Sequence, residues 1–182
     1  MRQIEVKPRL SRLKEQAIAQ LSYYNGVRFM LQVKRPFWKT AGLSGSARTD
    51  RAAEIWDAAD DQAAPSRGIL GATAGGEMAR RALGMTPEAS LSMGVDLVAD
   101  AFPAIRSEFE KGAVQRWSAE PWALGAFALY RPGEMTTLMP ALASAEGGLH
   151  FAGEHTSIWT GWMEGALESG ERAAREVLSA TR

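Results

Sequence analysis

Apolar residues recur at helical spacing near both ends of the chain. After Lys7-Pro8, Leu10, Leu13, Ala17, Ile18 and Leu21 follow intervals of three and four until Asn25-Gly26 interrupts them, which predicts a helix. At the other end Met163 to Leu178 has apolar residues at 163, 166, 167, 173, 174, 177 and 178. Glu164, Glu168, Glu171, Arg172 and Arg175 lie between them, so one apolar and one charged helical face are expected. The middle of the chain reads differently. Val27 to Val33 is a buried-strand pattern running into Lys34-Arg35-Pro36-Phe37-Trp38, and Arg67 to Thr73 is a second. Ala74-Gly75-Gly76 then turns into a helix over 77–83. Thr86-Pro87-Glu88 has the cap and first-turn proline of a helix start, and that helix is expected to run to about Phe102, before Pro103. Val114 to Trp117, Ala126 to Tyr130 and Leu149 to Ala152 read as further strands. The stretch 39–66, rich in Gly, Ser, Ala and Asp, reads as a loop with one short strand around Ile55-Trp56. A short helical piece is expected between Pro132-Gly133 and Gly147-Gly148. The order of elements implies an α/β (α+β mixed) fold with five or six strands.

Composition narrows the chemistry. The 182 residues suit one domain or parts of two, and 46% hydrophobic content is enough for a core. Lys plus Arg number 21 against 21 Asp plus Glu, so no basic excess points to nucleic acid. The chain has no cysteine, which excludes disulfides, thiolate metal sites and a cysteine nucleophile. Its two histidines, His150 and His155, offer little to a metal centre or a Ser-His-Asp triad. The charged start MRQIEVKPRLSRLKEQ is unlike a signal peptide. The apolar run WALGAFALY at 122–130 is far short of the ~20 residues a membrane helix needs. A cytoplasmic protein with no nucleic-acid, membrane or metal partner is expected.

The richest segment is 149–178, LHFAGEHTSIWTGWMEGALESGERAAREVL. It reads as a short strand, a Gly-Glu turn, a small-polar loop and a long helix starting near Gly161. A helix N-terminus gathers unpaired N–H groups and partial positive charge. Gly153 and Gly161 would let a ligand approach the backbone. Such a corner suits an anionic or electron-rich group. It equally suits a plain strand–helix turn in which the glycines serve only the turning.

This segment resembles the C-terminal flavin-binding motif of the flavin-dependent amine oxidases, a family that includes monoamine oxidases, polyamine oxidases and L-amino acid oxidases. The likeness extends through Trp117-Ser118-Ala119-Glu120-Pro121-Trp122, Gly125 to Gly133, Gly75-Gly76-Glu77-Met78-Ala79 and Val33 to Trp38. Ile4-Glu5-Val6 and the following helix fit it too, so nearly the whole chain is covered. The resemblance implies a role for each matched residue. Lys34 matches the lysine that faces flavin N5 through a water; a solvated strand-end lysine is the plainer alternative. Phe127 and Trp162 match the two aromatic walls flanking the substrate amine. Trp117 and Trp122 lie in the stretch beside the flavin. Gly153 and Glu154 match the turn next to the pyrophosphate and ribityl chain, and Gly161, Trp162 and Met163 the backbone near the pyrimidine end of the ring.

Two departures shape the expectation. Ala126 stands where the mitochondrial monoamine oxidases carry a flavin-linking cysteine, so FAD would be held non-covalently. The family's opening strand–GxGxxG–helix unit has no counterpart, and RGILGATAGG at 67–76 lies where the family has a substrate-domain strand. Met1 falls inside the family pattern. The chain therefore reads as the C-terminal part of an amine oxidase. Residues 1–23 are expected to be a helical segment of the FAD-binding domain, 24–119 part of the substrate-binding domain with a mixed sheet and helices, and 120–182 the C-terminal FAD-binding segment. The Rossmann half would be missing. The implied reaction is oxidation of an amine or L-amino acid to an imine with release of hydrogen peroxide. Another chain would supply the N-terminal half, the lone chain being inactive. The alternative is a non-catalytic remnant with at most an interaction role. An uncovered helix 163–178 would leave apolar surface open to homo-oligomerisation.

Overall fold

The computed structural model describes residues 4–52, 54–60 and 66–180. In chain order the elements are α1 (Arg12–Gln20), β1 (Ser22–Tyr23), β2 (Val27–Val33), α2 (Phe37–Thr40), β3 (Glu54–Asp57), β4 (Gly68–Ala74), α3 (Gly76–Leu83) and α4 (Pro87–Ala99). They continue with α5 (Ile105–Glu108), β5 (Phe109–Arg116), β6 (Ala128–Leu129), α6 (Glu134–Thr137), α7 (Met139–Ala143) and α8 (Met163–Ala180). The chain divides into two compact units, Asn25–Ala126 and the pair of segments Met1–Tyr24 with Phe127–Arg182. The division thus falls after Ala126, beyond the 119/120 boundary drawn from the sequence.

The 25–126 unit is built on a four-stranded sheet in the order β3-β4-β2-β5. Every pairing is antiparallel, which corrects the mixed sheet expected from the sequence. The alternation of β2 sets its sides: Val27, Phe29, Leu31 and Val33 are buried while Arg28 is exposed. The buried side meets Leu97 and Val98 of α4, Ala79 and Ala82 of α3, Ile105 and Trp38 in one apolar core. A Cβ on Gly94 would stand 2.5 Å from the Phe29 ring, so glycine lets α4 close onto β2. Thr86 caps α4 by accepting from the Ala89 N–H at 3.2 Å, as its sequence position predicts. The helix stops at Ala99 rather than Phe102. A residue before proline avoids helical ψ, and Phe102 turns into the core instead. β5 begins five residues before the expected Val114. Its Glu110-Lys111 start conceals a strand because one edge of the ladder is open to solvent and needs no apolar alternation.

The other unit has a smaller apolar core, formed by Ala17, Leu21, Ala128, Leu138, Ala141 and Leu142. Polar anchors do much of the joining. Lys14 on α1 is fully buried; its Nζ donates to the Leu142 and Ser144 carbonyls at 3.1 and 2.5 Å and lies 3.6 Å from the Phe151 ring centroid. Burial pushes its pKa down. Arg172 on α8 donates to the Ala143 and Phe151 carbonyls at 3.1 and 2.9 Å, and to Glu176 at 2.8 Å. With Arg172 taking the Phe151 carbonyl, the strand expected there does not form. Leu149 to Ala152 is not a strand and makes one isolated bridge, Glu146 to Leu149. Ala126 to Tyr130 shortens to the two residues of β6, which pair with β1.

α8 forms over the expected range, but its apolar row faces outward. Met163 is 80% exposed and Leu167 70%, whereas Gly165 and Ser169 are buried. A Cβ on Gly165 would collide with the Trp159 carbonyl. The inward side is therefore chosen by close backbone approach and hydrogen bonding rather than by apolarity. No helix among the described residues is long and apolar enough to cross a membrane.

Candidate functional site

The turn at Gly153–Glu154 organises the end of α8. Gly153 adopts φ +134, a region that suits glycine, and a Cβ there would stand 2.5 Å from the His155 ring. Its N–H donates to the Ser169 hydroxyl at 2.9 Å, tying the turn to the buried side of α8. The Glu154 carboxylate is fully engaged. One oxygen accepts from the Ala128 N–H at 3.0 Å, and the other from the Thr160 hydroxyl at 2.8 Å and the Gly161 N–H at 2.7 Å. It thereby joins β6 to the loop that enters α8. Gly161 has φ +80, and the Phe127 ring passes 3.5 Å from the position its Cβ would take. Phe127 is stacked on Tyr24, with centroids 4.8 Å apart and planes 16° from parallel. Trp162 and Met163 follow Gly161 and are 67% and 80% exposed, beside the exposed Ile158 and Trp159.

Of the residues singled out in the sequence, Phe127, Gly153, Glu154, Gly161, Trp162 and Met163 thus gather around this corner. Lys34, Trp117 and Trp122 belong to the 25–126 unit. Lys34 follows the end of β2 and is exposed, with its Nζ donating to the Ser107 carbonyl at 2.9 Å. Trp117 donates its backbone N–H to the Gly26 carbonyl at 3.2 Å, and the Trp122 side chain is 90% exposed. The glycines of RGILGATAGG have a packing role. A Cβ on Gly68 would strike the Trp38 ring and one on Gly71 the Trp56 ring, so indoles occupy the space a phosphate loop would keep open.

Sequence reasoning missed several supporting groups. Tyr24 and Thr160 had no distinguishing pattern, and Arg172 read as part of a solvated charged face. Tyr130 donates its hydroxyl to the His155 carbonyl. Burial, then the nearby Glu154 charge, pushes the Tyr130 pKa up to about 12. Burial pushes His155 down, against the opposing pull of Glu154, which favours a neutral ring beside the turn. No group of three acidic or histidine side chains that could hold a metal occurs among the described residues.

The family model described as flavin containing amine oxidoreductase matches residues 1–178. An L-amino-acid oxidase of Siganus canaliculatus is 30% identical over 96% of the chain, and the flavin-containing amine oxidase B of Cavia porcellus 29% over 97%. The chain spans 34% and 35% of those two proteins. Among solved structures, cyclohexylamine oxidase from Brevibacterium oxydans superposes with a TM-score of 0.82 at 25% identity, over 98% of this chain and 40% of that one. Wild-type putrescine oxidase bound to putrescine has a TM-score of 0.84 at 22% identity and shares the fold, over 97% of this chain and 40% of that one.

Proposed function

We propose that this chain, which belongs to the flavin-containing amine oxidoreductase family, forms the substrate sheet and C-terminal flavin segment of an FAD-dependent oxidase of amines or L-amino acids. The observation that carries this reading is the Glu154-centred corner within a family match over 1–178. Its carboxylate fixes Gly161 and leaves Trp162 and Met163 open at the start of an 18-residue helix. Those exposed groups fit an aromatic ring system lying against the helix end. The glycine-rich run at 67–76 does not fit a dinucleotide, because tryptophan rings fill it. The N-terminal half that the family's longer members carry would hold the adenosine and pyrophosphate.

A flavin at this corner would be held by Gly153, Glu154 and the backbone of Gly161 to Met163, and would supply the two-electron redox chemistry that turns an amine or L-amino acid into an imine with oxygen as the final acceptor. The chain's own residues hold and orient. Phe127 and Trp162 align the amine and exclude water from it. The start of α8 favours negative charge that develops near the backbone of Gly161 to Met163. Lys34 keeps two ammonium donors beyond its bond to Ser107, enough to hold a water. With no cysteine in the chain, a cysteinyl link to the flavin is excluded, and the flavin would be held non-covalently as far as that route goes.

The test is to produce the chain together with an N-terminal half of the family. A flavin absorption spectrum in the purified complex and peroxide formation on a panel of amines and L-amino acids are expected. A stable complex with neither would return the chain to a non-catalytic remnant.

A further inference from the structure

Phe127 is braced from several directions within its own unit. The β1–β6 ladder pairs Ser22 with Leu129 and Tyr23 with Ala128, and one step further the Tyr24 N–H donates to the Phe127 carbonyl at 2.8 Å. Tyr24 and Phe127 therefore stand opposite each other, and directly opposed residues of an antiparallel pair project from one face. Their rings meet nearly flat, 16° from parallel with centroids 4.8 Å apart. Gly161 supports the same ring: the position its Cβ would take lies 3.5 to 4.0 Å from three of the Phe127 ring carbons. Glu154 ties these supports together. One of its oxygens accepts from the Ala128 N–H, next to Phe127, at 3.0 Å, and the other from the Gly161 N–H at 2.7 Å.

The two aromatic groups proposed to flank the amine are thus supported unequally. Phe127 and Tyr24 are half-buried against each other, whereas Trp162 is 67% exposed. A ring stacked on a fixed neighbour has its plane set by that neighbour, so removing the neighbour shifts the ring without touching any ligand. We infer that Tyr24 is a positioning residue: it sets the plane of Phe127 and, through it, the placement of the substrate amine. This inference rests on the reading of Phe127 as a wall for the amine, but the bracing it describes needs no flavin. Tyr24 serving only to pack the β1–β6 ladder is the competing outcome.

The experiment begins with the whole chain carrying ring-¹³C phenylalanine, the Phe127 signals being identified by their loss in Phe127→Leu. In the parent chain the Tyr24 ring should displace them upfield. Tyr24→Phe should keep that displacement and Tyr24→Leu should abolish it. The same variants are then combined with an N-terminal half of the family and assayed on the amine or L-amino acid that the parent complex oxidises fastest. Tyr24→Leu is expected to lower kcat about tenfold or more at unchanged flavin content, because a displaced wall misaligns the reacting carbon. Tyr24→Phe, which restores the ring without the hydroxyl, should keep most of the parent rate. A parent chain without the upfield displacement, parental turnover in Tyr24→Leu, or equal loss in both variants would overturn the inference. Failure of the oxidase reading would appear separately, as a parent complex without flavin or peroxide in which the displaced Phe127 signals persist.

Discussion

The two units of the chain are held together by different physics. In 25–126, β2 lays Val27, Phe29, Leu31 and Val33 against helices on one side, and large apolar side chains such as Trp38, Leu97 and Ile105 fill the space. In the unit made of 1–24 and 127–182, three of the six core residues are alanines. Its segments are joined by Lys14, Glu146, Glu154 and Arg172, each reaching backbone groups distant in sequence. The apolar residues that would have made a larger core, Met163, Leu167 and Leu178 among them, are on the outside of α8. Apolar burial is non-directional and tolerates some repacking, whereas a buried charge without its partner costs several kcal/mol. The second unit therefore depends on a few specific bonds, and its exposed helix row is surface available to further protein.

The largest expected effect lies in the first unit. Phe29→Ala removes a fully buried ring that also seats Gly94, and should cost about 3–5 kcal/mol. Hydrogen exchange of the β2 amides reads this locally. A loss under about 1 kcal/mol would mean that this core is not what holds the sheet.

Arg172→Met is the matching challenge to the second unit. It leaves the Ala143 and Phe151 carbonyls without their donor and Glu176 without its cation, for an expected loss of about 2–4 kcal/mol. The amides of α7 and α8 should exchange faster while those of β2 stay protected. Equal acceleration in both units would break the contrast between them.

If, as proposed, the Lys34 ammonium acts through a water and not through substrate binding, Lys34→Met in the flavin-loaded complex should lower kcat about tenfold or more while KM changes little. Unchanged turnover would leave Lys34 as a strand-end side chain bonded to Ser107.

A pH dependence follows from Glu176. Hydrogen bonds from His150, then Arg172, hold its carboxyl below the ordinary carboxylate value. A lowered folded-state pKa means that the unfolded chain binds the proton more readily. The stabilisation is therefore complete above the ordinary value and is lost as pH falls through the lowered one. Urea denaturation between neutral and acidic pH should show this loss, and Glu176→Gln should reduce its slope.

What could be read from the sequence depended on whether the cause was local. The alternation of β2 and the Thr86 cap are local, and both appear where expected. β5 was half hidden because its pairing with β2 stabilises a charged start that has no strand pattern of its own. Leu149 to Ala152 read as a strand from its apolar ends, but Arg172, distant in sequence, takes the Phe151 carbonyl. The periodicity of α8 marked which side is apolar and said nothing of what covers it. At the candidate site, the resemblance drew attention to Gly153, Glu154 and Gly161. The use of Glu154 as a clamp between β6 and the α8 entry loop is not legible in the sequence, since it joins backbone N–H groups that leave no trace in residue type.

The smallest expected effect tests the exposed row itself. Leu167 is 70% exposed, so Leu167→Ser removes little buried apolar area, and the monomeric chain should change in stability by no more than about 0.5 kcal/mol. The same substitution should matter more where the row is covered. If copies of the chain associate through α8, sedimentation at rising concentration will show a dimer that Leu167→Ser weakens, and the apparent stability of the parent chain will rise with concentration. If an N-terminal half of the family covers the row, the substitution will instead weaken that complex and leave the lone chain unaffected. A large stability loss in a chain that stays monomeric would contradict both, because it would require Leu167 to be buried within its own unit.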